Sequence, residues 1–164
     1  MRIRQATTTD HTFLLELTDR LAEFPLPAWR TGAQIAAADQ PILEAALAHP
    51  VPETLLQIAE TEDGQPLGYI FATTQVDYFT GERHGHIEIL SVARSAEGQG
   101  VGRALLDAAD NWAATQQYGH ITLNVFTTNE RARGLYHHLG FEPELVKYRK
   151  SIRPIDGPTT GPTR

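Results

Sequence analysis

The stretch Val92-Ala93-Arg94-Ser95-Ala96-Glu97-Gly98-Gln99-Gly100-Val101-Gly102-Arg103-Ala104-Leu105-Leu106 leaves an apolar strand, crosses three alternating glycines and enters a helix. From Val101 the apolar residues fall at 101, 104, 105, 108, 109 and 112. That is the i, i+3, i+4 repeat of a helix buried along one face, so the helix starts at the glycines. Its first turn leaves N–H groups without intrahelical partners, and the peptide dipoles add partial positive charge there. Gly98, Gly100 and Gly102 carry no Cβ, so the backbone can take positive φ and a phosphate can approach closely. Arg103 adds a charged donor. A single glycine here would read as an ordinary turn into a helix; three at this spacing read as an anion cradle.

Two familiar phosphate loops do not fit. A P-loop ends in Gly-Lys-Ser/Thr, but Gly102 is followed by Arg103 and Ala104, so no hydroxyl is placed for Mg²⁺. The dinucleotide fingerprint G-x-G-x-x-G also fails, since the final position counted from Gly98 is Arg103.

The 164 residues suffice for one domain with a real core, and 41% hydrophobic with 21% charged residues excludes disorder, collagen and coiled coil. The absence of cysteine removes disulfide frameworks, Cys-based zinc sites and cysteine nucleophiles. A net charge of −6 argues against non-specific nucleic-acid binding, so the anion site is local. Met1 to Ala6 alternate as a strand rather than a signal peptide, and no transmembrane run is present. Cytoplasmic placement, with no membrane partner, is the expectation.

Along the chain, Thr7-Thr8-Thr9-Asp10 offers N-caps for a helix carrying Phe13, Leu14, Leu17 and Leu21. Phe24 to Trp29 holds two prolines and reads as a loop with exposed aromatics. A helical region from Thr31 is expected to break at Pro41, with Asp39 capping a restart through Ile42, Leu43, Ala46 and Leu47. Residues 54–61 and 67–74 read as strands of an Asp63-Gly64 hairpin. In the strand His86 to Val92, Ile87 and Ile89 share one face while Leu90 and Val92 share the other. Full burial explains this; a β-bulge near Ile89-Leu90 explains it more specifically. The glycine-led helix runs to about Tyr118-Gly119, followed by a strand at 120–126, a helix capped by Asn129 and ended by Gly140, and a last strand from Phe141 to about Ile152. Residues 1–152 read as one domain of layered α/β (α+β) class, and 153–164 as a flexible tail.

The glycine stretch resembles motif A, R/Q-x-x-G-x-G/A, of the GNAT superfamily of N-acetyltransferases, with Gly100 and Gly102 as its glycines and Glu97 where the family usually has Arg or Gln. Asn129-Glu130-Arg131-Ala132-Arg133-Gly134-Leu135-Tyr136-His137-His138-Leu139-Gly140-Phe141 resembles that family's motif B. The resemblance covers residues 1–152 and implies a mixed, mostly antiparallel sheet flanked by helices, with splayed central parallel strands. It implies acetyl-CoA as co-substrate and an amine as acceptor, with no metal.

By the same resemblance, the segment from Glu97 through Gly98, Gln99, Gly100, Val101, Gly102 and Arg103 to Ala104 holds the pyrophosphate, with the amides from Gln99 to Ala104 as its cradle. Backbone groups at Leu90, Ser91 and Val92 line the pantetheine arm, and Asn129 lies close to it. Tyr136 matches the family's general acid, although its stripe with Ala132 and Leu139 also suits a core tyrosine. Glu88 is the candidate general base or amine-binding carboxylate, or else a solvent-facing strand glutamate. His84 and His86 share a strand face, but no third ligand stands at a metal-binding spacing; a proton relay or a place in the substrate loop is the other use for them. Trp29, Tyr78 and Phe79, with Asp77 and Glu82, are expected either to form a partly apolar cleft for a cation or to pack under their loops or in a homodimer contact. The reading that follows is an N-acetyltransferase acting by direct attack in a ternary complex; the rival is a non-catalytic acyl-CoA-binding or sensing module on the same fold.

Overall fold

A computed structural model describes residues 1–152, so the expected tail lies outside the described residues. The elements are β1 (Arg2–Gln5), α1 (His11–Thr18), α2 (Gly32–Ala48), β2 (Thr54–Glu60), β3 (Pro66–Val76), β4 (Arg83–Val92), α3 (Val101–Thr115), β5 (Ile121–Leu123) and α4 (Glu130–His138). The five strands form one sheet in chain order, antiparallel from β1 to β4, with β5 parallel to β4.

Each sheet face has its own core. Leu14, Leu17 and Leu43 of α1 and α2 pack on Leu56, Ile58, Tyr69, Phe71 and Ile89. On the other face Val101, Leu105, Leu106 and Ala109 of α3 pack on Leu55, Ala59, Ile70, Ala72 and Ile87. Gly85 sits under α3, where an added Cβ would lie 3.0 Å from Trp112 Cζ3. Arg4 ties β1 to the entry of α1 through two 2.8 Å bonds to the Asp10 carboxylate, which also accepts from Thr7 N–H at 2.8 Å.

Five expectations change. Helix α2 runs unbroken through Pro41. A capping box fixes its start: Gln34 N–H donates to Thr31 Oγ1 at 3.2 Å, and Thr31 N–H donates to Gln34 Oε1 at 3.0 Å. Alanines crowd around Pro41, so the lost N–H does not end the helix. Asp39 is therefore an interior residue of α2, not a cap.

The β-bulge lies one residue earlier than expected. Phe71 pairs with Ile89 and Ala72 with Ile87, leaving Glu88 as the extra residue. Pairing of β4 with β5 stops at Ile87 and Leu123, so 124–126 form no strand. The segment 141–152 also forms no strand: Pro143 lacks a donor, adjacent Leu145 and Val146 spoil the alternation, and both side chains are exposed.

Helix α3 ends earlier than expected. Gln117, not Gly119, takes the left-handed position at φ 61°. Its N–H donates to Ala114 O at 3.0 Å and that of Tyr118 to Ala113 O at 2.9 Å, the pair of bonds that defines a Schellman cap. A side chain in this conformation costs about 1 kcal/mol relative to glycine. Gln117→Gly is therefore expected to stabilise the chain by about 0.5–1 kcal/mol, read as a rise in the urea midpoint at constant m.

Candidate active site

The bulge sets the geometry. Ala93 N–H donates to Leu67 O on the β3 side at 2.7 Å. Backbone direction alternates along a strand, so Ser91 also faces β3 while Leu90 and Val92 face the opposite edge. Among the described residues no strand pairs with β4 beyond Ile87, so that edge is open beside Leu90 and at the Val92 N–H. The Arg20 guanidinium already occupies Val92 O. Ser91 departs from expectation: its backbone faces β3 and its buried hydroxyl donates to Leu17 O at 3.0 Å, so it serves the scaffold.

Past the end of β4 the chain forms the cradle. Gly98 and Gly100 take φ of 74° and 79°, and the space a Cβ would fill is open at both. Among the described residues, the N–H groups of Gly98, Gly100, Val101, Gly102 and Arg103 donate to no protein group. The free set is smaller than expected. Gln99 N–H reaches Ala96 O at 3.4 Å, and Ala104 N–H is spent on Gly100 O at 3.0 Å.

Glu97 opens the cradle. Its carboxylate takes Arg20 Nη2 at 2.7 Å and Arg131 Nη2 at 2.8 Å. These two guanidiniums, Arg131 foremost, hold its pKa down at about 2.

A cleft of about 410 Å³ brings together Glu88, Leu90, Asn129 and Tyr136 with Leu21, Phe24, Asp39, Asn124 and Phe126. Four expected site residues thus share one space. Glu88 projects from the bulge and is oriented by Thr73 Oγ1 at 2.7 Å and Gln75 Nε2 at 3.2 Å, both donating to its Oε1. Tyr136 packs against Phe141 with ring centroids 5.6 Å apart, and burial raises its phenol above the ordinary 10.0, keeping it protonated. Asn129 Oδ1 caps α4 by accepting from Ala132 N–H at 3.2 Å, which leaves both N–H donors of its amide for a ligand.

The family model described as the acetyltransferase (GNAT) family matches residues 14–141. The chain belongs to that family. It is 40% identical over 68 residues to the mycothiol acetyltransferase of Beutenbergia cavernae, a match covering 42% of this chain and 23% of that protein. It is 29% identical over 144 residues to the uncharacterized N-acetyltransferase YhfO of Bacillus subtilis, covering 88% of this chain and 91% of that one. The fold is that of the aminoglycoside 6'-N-acetyltransferase AAC(6')-IG from Acinetobacter haemolyticus: TM-score 0.68 at 20% identity, covering 93% of this chain and 100% of the other. The chain therefore spans about a quarter of the length of the first relative and nearly all of the other two.

This GNAT domain builds its cleft from other aromatics than Trp29, Tyr78 and Phe79. Tyr78 and Phe79 pack edge to face on each other at a hairpin tip, 92% and 71% exposed. Asp77 is consumed there, its Oδ1 accepting from Phe79 and Thr80 N–H at 2.9 and 2.7 Å. Trp29 lies under the Arg149 guanidinium, 5.1 Å from its ring centroid. Phe24 and Phe126, 5.4 Å apart, line the cleft instead.

Sequence reasoning also missed Asp39, Arg20 and Arg131. Asp39 has no hydrogen-bond or ion-pair partner among the described residues, and burial, with Glu88 second, raises its pKa. His86 is buried and pinned, its Nδ1 2.7 Å from Thr122 Oγ1 and its Nε2 3.2 Å from Asn124 Nδ2. His84 stacks on His120 at 4.7 Å. Among the described residues no three His, Cys, Asp or Glu gather as metal ligands.

The depressed Glu97 carboxyl links pH to stability. A folded pKa of about 2 against an ordinary value near 4.5 gives stability that is complete above about pH 4.5 and is lost as pH falls through about 2. The Tm gap between wild type and Glu97→Gln is expected to be flat above pH 4.5 and to close toward pH 2.

Proposed function

We propose that this chain is an acetyl-CoA-dependent N-acetyltransferase, with one catalytic domain over residues 1–152, that acetylates a primary amine by direct attack in a ternary complex. The observation that carries this reading is the continuity of the site. The free amides of Gly98 and Gly100 to Arg103 lead into the open β4 edge at Leu90 and Val92, which runs into the cleft between Glu88 and Tyr136.

Each part suits one need of the reaction. The amides and the positive end of α3 suit the CoA diphosphate. The open edge suits the pantetheine amides, which would lie against it as an added strand. The Leu90 N–H, directed at the same edge, can donate to the thioester oxygen as negative charge develops there.

The acceptor must lose a proton before its nitrogen can attack. Glu88, held by Thr73 and Gln75, accepts that proton directly or through water. The nitrogen lone pair adds to the thioester carbonyl, the C–S bond breaks, and the departing CoA thiolate takes the Tyr136 phenolic proton. A phenol kept neutral by burial is well matched to a thiolate that needs a proton. With no cysteine in the chain, no cysteinyl acyl-enzyme can intervene.

The acceptor arrives as an ammonium ion. Glu88 and the unpartnered Asp39 give its entrance negative charge, and Phe24, Phe126 and Leu21 give it an apolar wall.

A panel of amines offered with acetyl-CoA is expected to release CoA thiol above background for at least one member; no release across the panel sinks the enzymatic reading. Tyr136→Phe is expected to lower kcat about a hundredfold while the Kd for acetyl-CoA holds. Asp39→Asn is expected to raise the KM for the amine severalfold without changing the KM for acetyl-CoA.

A further inference from the structure

The Glu97 ion pairs lie where the donor's diphosphate would lie. Glu97 directly precedes the free Gly98 amide, so a carboxylate stands at the rim of a site shaped for an anion. Its two partners differ in kind.

Arg20 is fixed. Besides Glu97 it binds Val92 O, and its Nε donates to Glu23 Oε2 at 3.0 Å; its side chain is 19% exposed. Arg131 is not: its side chain is 74% exposed, and Glu97 is its one ion-pair or hydrogen-bond partner among the described residues.

Arg131 stands in the first turn of α4, two residues after the cap Asn129. Helix α4 reaches the cradle, since a Cβ on Gly102 would lie 3.9 Å from Leu135 Cδ2. The Glu97–Arg131 pair therefore bridges the β4–α3 connection and α4, the two walls of the donor channel. A guanidinium can bind a phosphate through two parallel N–H donors, and a diphosphate offers more charge than one carboxylate.

We propose that Arg131 is the mobile cation of the diphosphate site, parked on Glu97 until the donor arrives and then exchanging the carboxylate for a diphosphate oxygen, while Arg20 keeps Glu97 neutralised in place. This rests on the reading of the glycine cradle as the CoA diphosphate site. Glu97 then acts through Arg131 as a positioning residue that sets the occupancy of the donor site.

The test is a double-mutant cycle read by titration calorimetry with acetyl-CoA, paired with kcat/KM for acetyl-pantetheine, which lacks the diphosphate. Arg131→Ala is expected to raise the Kd for acetyl-CoA about tenfold, with Arg131→Lys recovering part of the loss. Glu97→Gln is expected to lower that Kd about threefold, and to gain less in the Arg131→Ala background. Both changes are expected to affect kcat/KM for acetyl-pantetheine far less than the Kd for acetyl-CoA, and melting curves check that the variants are folded.

An unchanged Kd in Arg131→Ala, or an equal loss with acetyl-pantetheine, overturns the proposal. So does weaker acetyl-CoA binding in Glu97→Gln. Wild-type protein that fails to bind acetyl-CoA at all removes the cradle reading itself, and this inference with it.

Discussion

One surplus residue in β4 governs the arrangement of the whole site. Glu88 has no partner in β3, and the strand must bend to accommodate it. Three consequences follow from that bend. The parallel ladder to β5 stops at Ile87, the polar groups of Leu90 and Val92 are left facing outward, and a carboxylate is aimed into the space that opens. A regular strand would have closed the sheet and put Glu88 in a ladder. The two cores on either side hold the sheet rigid enough for a local defect to become a defined cleft.

The second wall of the cleft is built as tightly. Helix α4 ends with Gly140 at φ 90°, and Phe141 N–H folds back to Tyr136 O at 2.9 Å. The turn that stops the helix thus lays the Phe141 ring against the Tyr136 ring. The phenol is oriented by a capping motif written four and five residues after it. Asn129 does similar work at the other end, so α4 is fixed at both termini before any ligand is considered.

Local signals in the sequence were legible and distant ones were not. The cradle was readable because glycine spacing and helix periodicity are properties of one short stretch; Gly98 and Gly100 do adopt positive φ where the helix begins. The bulge was readable to within a residue because strand parity is local too. Asp39 was misplaced because a single proline was weighed as a breaker, while the capping box and the alanines of α2 outweigh it. Arg20 is 77 residues from Glu97, and no spacing rule connects them. The strand expected at 120–126 stops after Leu123, and the one expected at 141–152 does not form, for a different reason: a strand needs a partner edge, and β4 has turned away from 124–126 while nothing among the described residues pairs with 141–152.

Sheet order follows chain order, so β1 to β4 can zip together hairpin by hairpin apart from the helical excursion between β1 and β2. The β4–β5 joint is built differently. It is parallel, it spans three residue pairs, and the connection between its two strands contains the whole of α3. So short a seam is held by few hydrogen bonds, the condition that lowers the cost of local opening. Here it borders the cleft that holds Glu88 and Tyr136, so a fluctuation too small to disturb the meander would widen the mouth of that space.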